Sequence, residues 1–394
     1  MDRAKYTPAN DLGARSTTGT TQFAWKRGWR TIQDQRLDWL ITLLLVYLVQ
    51  FTFQYLFQVG GILQLPRPLG LIPTYLYVGW DAAYYRHFFA EAYDRFLWPP
   101  LYPFTLRLIQ FLFRFHDLAF EKCAVILNLC SHGFIVWGIS RYVAHDPDLD
   151  PTVGWIAAFL IFFFPGHNVF FAAYTESYYL AVTIGAFLLR QKRYLLGASV
   201  SAGVSALIRT MGSFLALAFF LEQVLICIRQ RRVRWRPLFA SAAGLIIVAG
   251  WNLGLRVVAG RTMIGEEAEW INELLRVHIP PGMNPKLWVL HYLTIGSPID
   301  VVAFGISIIG IIYCFARRRD AEALYILIFY ATLAFYIYRP FAWTRYVSVL
   351  FPLQLMVGRL LANRPRTTAA TIAACAASAC YIQLRLFQNQ LGEP

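Results

Sequence analysis

Apolar residues run along this chain in stretches of about 15 to 22, parted by short joints rich in charge, glycine or proline, without the apolar–polar alternation of half-buried strands. A helix needs about 20 apolar residues to cross a hydrocarbon layer roughly 30 Å thick, so each stretch reads as a membrane span. The predicted spans are 37–57, 118–141, 153–165, 170–190, 194–209, 212–228, 236–257, 298–315, 321–339, 343–361 and 367–387. The shortest, 153–165, is expected to extend back toward Asp150 or to break at Pro165-Gly166. The run 101–115 is different: Arg107 and Arg114 interleave with Phe and Leu at helical spacing, as in a helix lying along the membrane surface. The pattern predicts an all-α polytopic membrane protein, a bundle of about 11 transmembrane helices with interfacial helices in its first outer loop. Residues 1–36 are expected to form a mobile cytoplasmic tail and 37–390 a single transmembrane domain, with outer loops 58–117 and 258–297.

Composition excludes a water-soluble globular protein, because 58% of residues are hydrophobic and only 15% charged, against roughly 25% charged in soluble domains. Mean hydropathy is +0.47. The net charge of +14 would suggest nucleic acid in a soluble chain. Here the cations gather in the joints: Arg190, Lys192 and Arg193; Arg229, Arg231, Arg232, Arg234 and Arg236; Arg317 to Arg319; Arg364 and Arg366. That is the positive-inside pattern, so the expected partner is the lipid bilayer and not nucleic acid. All four clusters fall on the cytoplasmic side only if 101–115 lies on the surface. The amino terminus is then inside, and loops 58–117, 165–169, 209–212, 258–297 and 340–343 open on the outer face. The first apolar run begins near Leu37, too late for a cleaved signal peptide. The six cysteines form no CxxC pair and no histidine spacing suits zinc, so neither a metal nor another cofactor is expected.

The outer loops collect the unusual polar residues. Asp81 stands between Trp80 and the pair Tyr84-Tyr85, at the start of an amphipathic stretch. It suits a helix N-cap; equally, desolvation by aromatic neighbours at the membrane boundary strengthens a carboxylate as a base. His167 lies in the turn Phe164-Pro165-Gly166-His167-Asn168, and Glu176 falls about two turns inside the run 170–190, where an ionisable group faces a cavity or a partner. Pairing with an arginine and a direct role in chemistry both fit Glu176. Arg209 and Arg345 sit at outer junctions, with Arg339 nearby. Their guanidinium groups could snorkel to the interface or hold a phosphate bidentately. Glu266, Glu267, Glu269, Glu273 and His278 suit a solvated helix or a lid, and Asp300 a cap or a functional acid.

Four segments in order resemble the PIG-V-like mannosyltransferases: Gly79-Trp80-Asp81 with Tyr84 and Leu101-Tyr102-Pro103; Phe170-Phe171 to Tyr174-Thr175-Glu176-Ser177; the Arg209-to-Gly212 turn; and Arg345-Tyr346 to Phe351-Pro352-Leu353. The likeness spans roughly residues 75 to 355. It implies a GT-C glycosyltransferase fold and an inverting transfer from a sugar linked to polyprenyl or dolichyl phosphate to a lipid, glycan or protein acceptor. It also implies that Asp81 is the first-loop acid, Glu176 the acid of the Tyr-Ser-Glu-Ser motif, and Arg209 the arginine of Arg-Ser-Asn-Gly. The chain departs from that pattern at Trp98-Pro99-Pro100, where Phe-Phe-Pro is usual, and at Thr210-Met211, where Ser-Asn is usual.

The resulting expectation is a glycosyl transfer at the outer face, with Asp81 as base. Trp80, Tyr84, Tyr85, His167, Glu176, Arg209 and Arg345 would line the substrate site, and the modest length favours a prokaryotic plasma membrane over the endoplasmic reticulum. A transporter or flippase of a lipid-linked sugar or anion is the alternative, with Glu176 and Asp300 as pathway residues. A non-catalytic subunit of a glycosyltransferase complex is a third. A transporter would concentrate its charges near the bilayer midplane, whereas here most lie in outer loops.

Overall fold

A computed structural model describes residues 99–112, 120–164, 168–171, 173–262, 265, 298–336 and 343–387, together with Ile41, Leu44, Leu48, Tyr85, Arg86, His87 and Phe89. In chain order the helices from Leu101 onward are α1 Leu101–Leu112, α2 Phe120–Ala144, α3 Pro151–Phe163, α4 Asn168–Phe171, α5 Glu176–Gln191, α6 Leu195–Ala206 and α7 Gly212–Gln230. They continue with α8 Trp235–Ala259, α9 Pro298–Ala316, α10 Asp320–Tyr336, α11 Trp343–Ser348, α12 Phe351–Leu361 and α13 Pro365–Phe387. All lie in one compact unit, Thr42–Pro394; a separate unit, Met1–Ile41, is described only at Ile41. No strand occurs among the described residues. The expected tail 1–36, most of the span 37–57 and the acidic lid residues 266–278 lie outside them.

Local chemistry explains several boundaries. The short span does extend back: Asp150 caps α3 by accepting from Thr152 N at 2.8 Å, and Pro151 occupies the first turn, where its missing N–H costs nothing. The run 170–190 is not one helix, and Glu176 does not lie two turns inside it. The chain forms α4, turns at 173–175, and starts α5 at Glu176 itself. The run 343–361 likewise breaks at Val349-Leu350, with Pro352 in the first turn of α12. Three described helices, within α2 (Lys122–Ala144), α7 and α8, are long and apolar enough to cross a membrane unaided; α3, α6, α12 and Val301–Ala316 are shorter apolar helices.

The core centres on Phe187 of α5. Its ring meets Phe351 at 5.0 Å, Phe219 at 5.1 Å and Tyr325 at 5.9 Å, which draws α7, α10 and α12 around α5. Helices α6 and α8 approach most closely at two glycines: a Cβ on Gly203 would stand 2.8 Å from Gly244 O. Ser199 fastens that contact, its Oγ donating to Ser241 O at 2.6 Å and accepting from Gly244 N at 2.8 Å.

One end of the bundle holds a network of ion pairs. Arg190 Nε donates to Glu222 Oε2 at 2.7 Å, and its Nη1 lies 3.8 Å from Glu322 Oε2. The Tyr142 hydroxyl donates to Glu322, Arg319 pairs with Asp146, and Arg229 grips Asp320 with both Nη groups. Three cations from the clusters expected on the cytoplasmic side therefore also neutralise acids brought in by other segments. These pairs place the joints after α2, α5, α7 and α9 together at one end.

Candidate functional site

The far end of α5 carries the second cluster of charge. Glu176 is the first residue of α5 and is fully buried. Its Oε1 accepts from Arg345 Nε at 2.6 Å and from Arg209 Nη1 at 2.9 Å, while its Oε2 has no hydrogen-bond partner among the described residues. The helix N-terminus adds its own positive field to that of the two guanidinium groups, which explains how a carboxylate can be held out of water here. Among the described residues, one carboxylate thus gathers two guanidiniums.

Each arginine is fixed by more than the acid. Arg209 Nη1 also donates to Thr175 Oγ1 at 2.9 Å, and its guanidinium lies 5.6 Å from the centre of the Tyr346 ring. Arg345, only 7% exposed, lies over the Tyr174 ring at 4.9 Å. The residues next to each charge in sequence thus hold the charge on the neighbouring element. Tyr174 and Thr175 serve Arg345 and Arg209, and Tyr346 serves Arg209.

Arg209 owes its place to the joint between α6 and α7. Arg209 N donates to Ser205 O at 3.0 Å and Gly212 N returns to Arg209 O at 2.8 Å, so the chain reverses within a few residues. A Cβ on Gly212 would collide with the backbone of Ser205 and Ala206. Gly212→Ala is therefore expected to destabilise the protein by about 1–3 kcal/mol, by forcing this turn apart. Unfolding of the purified variant in detergent measures the effect, and a midpoint equal to wild type would show that the turn gives way freely.

Beneath Glu176, His132 of α2 and Ser177 of α5 converge on one carbonyl. Ser177 Oγ donates to Phe170 O at 2.8 Å, and His132 Nε2 lies 2.9 Å from both Phe170 O and Ser177 Oγ. These bonds pin α4 to the start of α5 and so set the turn that presents Glu176. His132 stands alone in an apolar run, and nothing in its sequence setting marks this role.

Of the other residues singled out in the sequence, Tyr85 is buried, edge-on to Tyr102 with ring centres 5.0 Å apart. Helix α1 ties it to the same end, since Leu101 N donates to Leu207 O at 2.9 Å, two residues before Arg209. Arg107 Nε donates to Phe89 O at 3.1 Å. Asp300 lies in the first turn of α9. Trp80, Asp81, Tyr84, His167 and Arg339 lie outside the described residues. Among the described residues, no group of three His, Cys, Asp or Glu side chains is placed to hold a metal ion.

What the described cluster can do chemically is receive an anion. The guanidinium groups are oriented by aromatic faces and by a shared carboxylate, at the end of the bundle where several turns converge.

No family model matches the chain, and no curated protein matches it in sequence. Among solved structures it overlays on the oligosaccharyltransferase of Archaeoglobus fulgidus. The form tethered with an acceptor peptide gives a TM-score of 0.48 at 15% identity, covering 89% of this chain and 55% of that one. The apo form gives 0.45 at 16%, covering 89% and 56%. The complex with Zn and sulfate gives 0.44 at 17%, covering 76% and 45%. The chain thus spans about half the length of the oligosaccharyltransferase it matches.

Proposed function

We propose that this protein is an inverting glycosyltransferase of the GT-C type. It moves a sugar, mannose by its resemblance to the PIG-V-like enzymes, from a polyprenyl- or dolichyl-phosphate donor to a lipid, glycan or protein acceptor on the outer face of a membrane. The observation that carries this reading is the pair Arg209 and Arg345 gathered on the single buried carboxylate of Glu176. Two of the four segments that resemble the family meet at Glu176 and Arg209, and a third supplies Arg345.

The chemistry asked of such a site is a single displacement. Asp81 accepts the proton of an acceptor hydroxyl as the oxygen attacks C1 of the sugar. The bond from C1 to the phosphate oxygen breaks, and the lipid phosphate leaves with the electron pair. A phosphate is already a good leaving group, so the greater need is for cations where its charge develops. Arg209 and Arg345 meet that need, and Glu176 keeps both guanidiniums in place. Because the donor stays anchored in the bilayer, the reaction belongs at the interface, with eleven spans setting the outer loops on one side and a prokaryotic plasma membrane as its setting.

The test is transfer of radiolabelled mannose from synthetic polyprenyl-phosphate mannose to membrane lipid or protein acceptors by the purified protein. Label appearing in an acceptor fraction is expected. Donor translocation across liposomes without any transfer would overturn this reading in favour of a flippase.

A further inference from the structure

The end of the bundle opposite Glu176 carries more positive charge than its ion pairs use. The joint from α5 to α6 bears Lys192 and Arg193, and the joint from α7 to α8 bears Arg231, Arg232 and Arg234, followed by Arg236; all six are exposed. The bonds from Ser199 to Ser241 and Gly244 hold the amino-terminal halves of α6 and α8 side by side, so both joints open on one surface. Arg190, Arg229 and Arg319 at this end have carboxylate partners, whereas none of these six has one among the described residues. Such a group of like charges repels itself unless anions gather there.

Two features accompany these charges. Arg193 and Arg231 end their helices with φ of 65° and 50°, the left-handed conformation that glycine adopts most cheaply. Apolar side chains flank the cations: Trp235 and Phe239 are 61% and 68% exposed and stack with ring centres 5.8 Å apart. Bases could stack on such rings, but a joint between two helices long and apolar enough to cross a membrane meets lipid first. The joint 231–234 connects two such helices, α7 and α8; in a bilayer its cations would stand at the depth of the headgroup phosphates and its aromatics at the acyl boundary.

We propose that these two joints form a binding surface for acidic phospholipids of the cytoplasmic leaflet, the arginines holding headgroup phosphates and Trp235 and Phe239 lying against the adjoining acyl chains. This surface depends on the membrane setting alone and not on the transferase reading.

Full-length protein in a neutral detergent, titrated separately with phosphatidylglycerol and phosphatidylcholine, provides the test. Native mass spectrometry reads retained lipid, and the unfolding midpoint reads stabilisation. Wild type is expected to retain and be stabilised by phosphatidylglycerol in preference. Substitution of Arg231, Arg232, Arg234 and Arg236 by Gln should lower that preference at least about fivefold, and high salt should weaken it. The same four positions as Lys keep the charge and the membrane orientation, and should keep most of the preference. If the Gln variant fails to fold, Lys192→Gln with Arg193→Gln must show the reduction instead. Equal retention of the two lipids by wild type, an undiminished preference in the folded Gln variants, or an equal shift by inorganic phosphate alone would overturn the proposal.

Discussion

Glu176→Ala is expected to destabilise this protein by roughly 3–5 kcal/mol, the usual consequence of removing one partner from a buried, hydrogen-bonded charge cluster. The carboxylate is fully buried and accepts from Arg345 at 2.6 Å and Arg209 at 2.9 Å. Without it, two guanidiniums remain in a space that water barely reaches. The double variant Glu176→Ala with Arg345→Ala should be less unstable than the sum of the two single changes, because both remove the same Glu176–Arg345 contact. Denaturation of the purified variants in detergent measures the cycle, and a Glu176→Ala midpoint equal to wild type would sink the interpretation. Activity separates the roles further. Arg345→Ala leaves Glu176 paired with Arg209 and should fold, yet transfer should fall roughly 10²–10³-fold as a cation is lost from the leaving phosphate. Arg345→Lys should restore little, since an ammonium lacks the planar fork whose Nε meets Glu176.

Asp81→Asn is expected to lower transfer by about 10²–10⁴-fold while leaving the fold intact. Asparagine is as good a helix N-cap as aspartate, so if capping were the whole role of Asp81 the variant would behave as wild type. Asparagine takes no proton from a hydroxyl, so a base is lost completely. Turnover measured with the lipid-phosphate sugar donor, alongside the unfolding midpoint, distinguishes the two. Unchanged turnover in a folded Asp81→Asn protein would remove the base assignment and leave Arg209 and Arg345 to be judged on their own.

Glu176 shows how far the residues alone lead. An acid in an apolar stretch implies a partner, and Arg209 and Arg345 at outer junctions imply an anion, yet the apolar pattern starts the helix six residues earlier, at Phe170. Phe170 and Phe171 continue the apolar pattern into α5, so periodicity runs through the turn at 173–175 without marking it. At the break, Phe170 O is bonded by Ser177 Oγ and by His132 from another helix, contacts that no local pattern announces. The run 343–361 misleads in the same way, since Val349 and Leu350 are as apolar as a helix interior although the helix stops there. At Asp150 the signal was local, a capping side chain followed by proline, and the boundary was legible.

That the chain is helical and apolar enough for a membrane is legible from its residues, because apolar length and charged joints are properties of contiguous positions. The cation-rich joints were likewise legible, as runs of neighbouring arginines. Which charges meet depends on the packing of distant helices. Arg345 lies 169 positions from Glu176, and Arg319 lies 173 from Asp146. Such pairs depend on which helix faces pack together, and in low dielectric each must find its counter-charge or cost the fold more than it can bear.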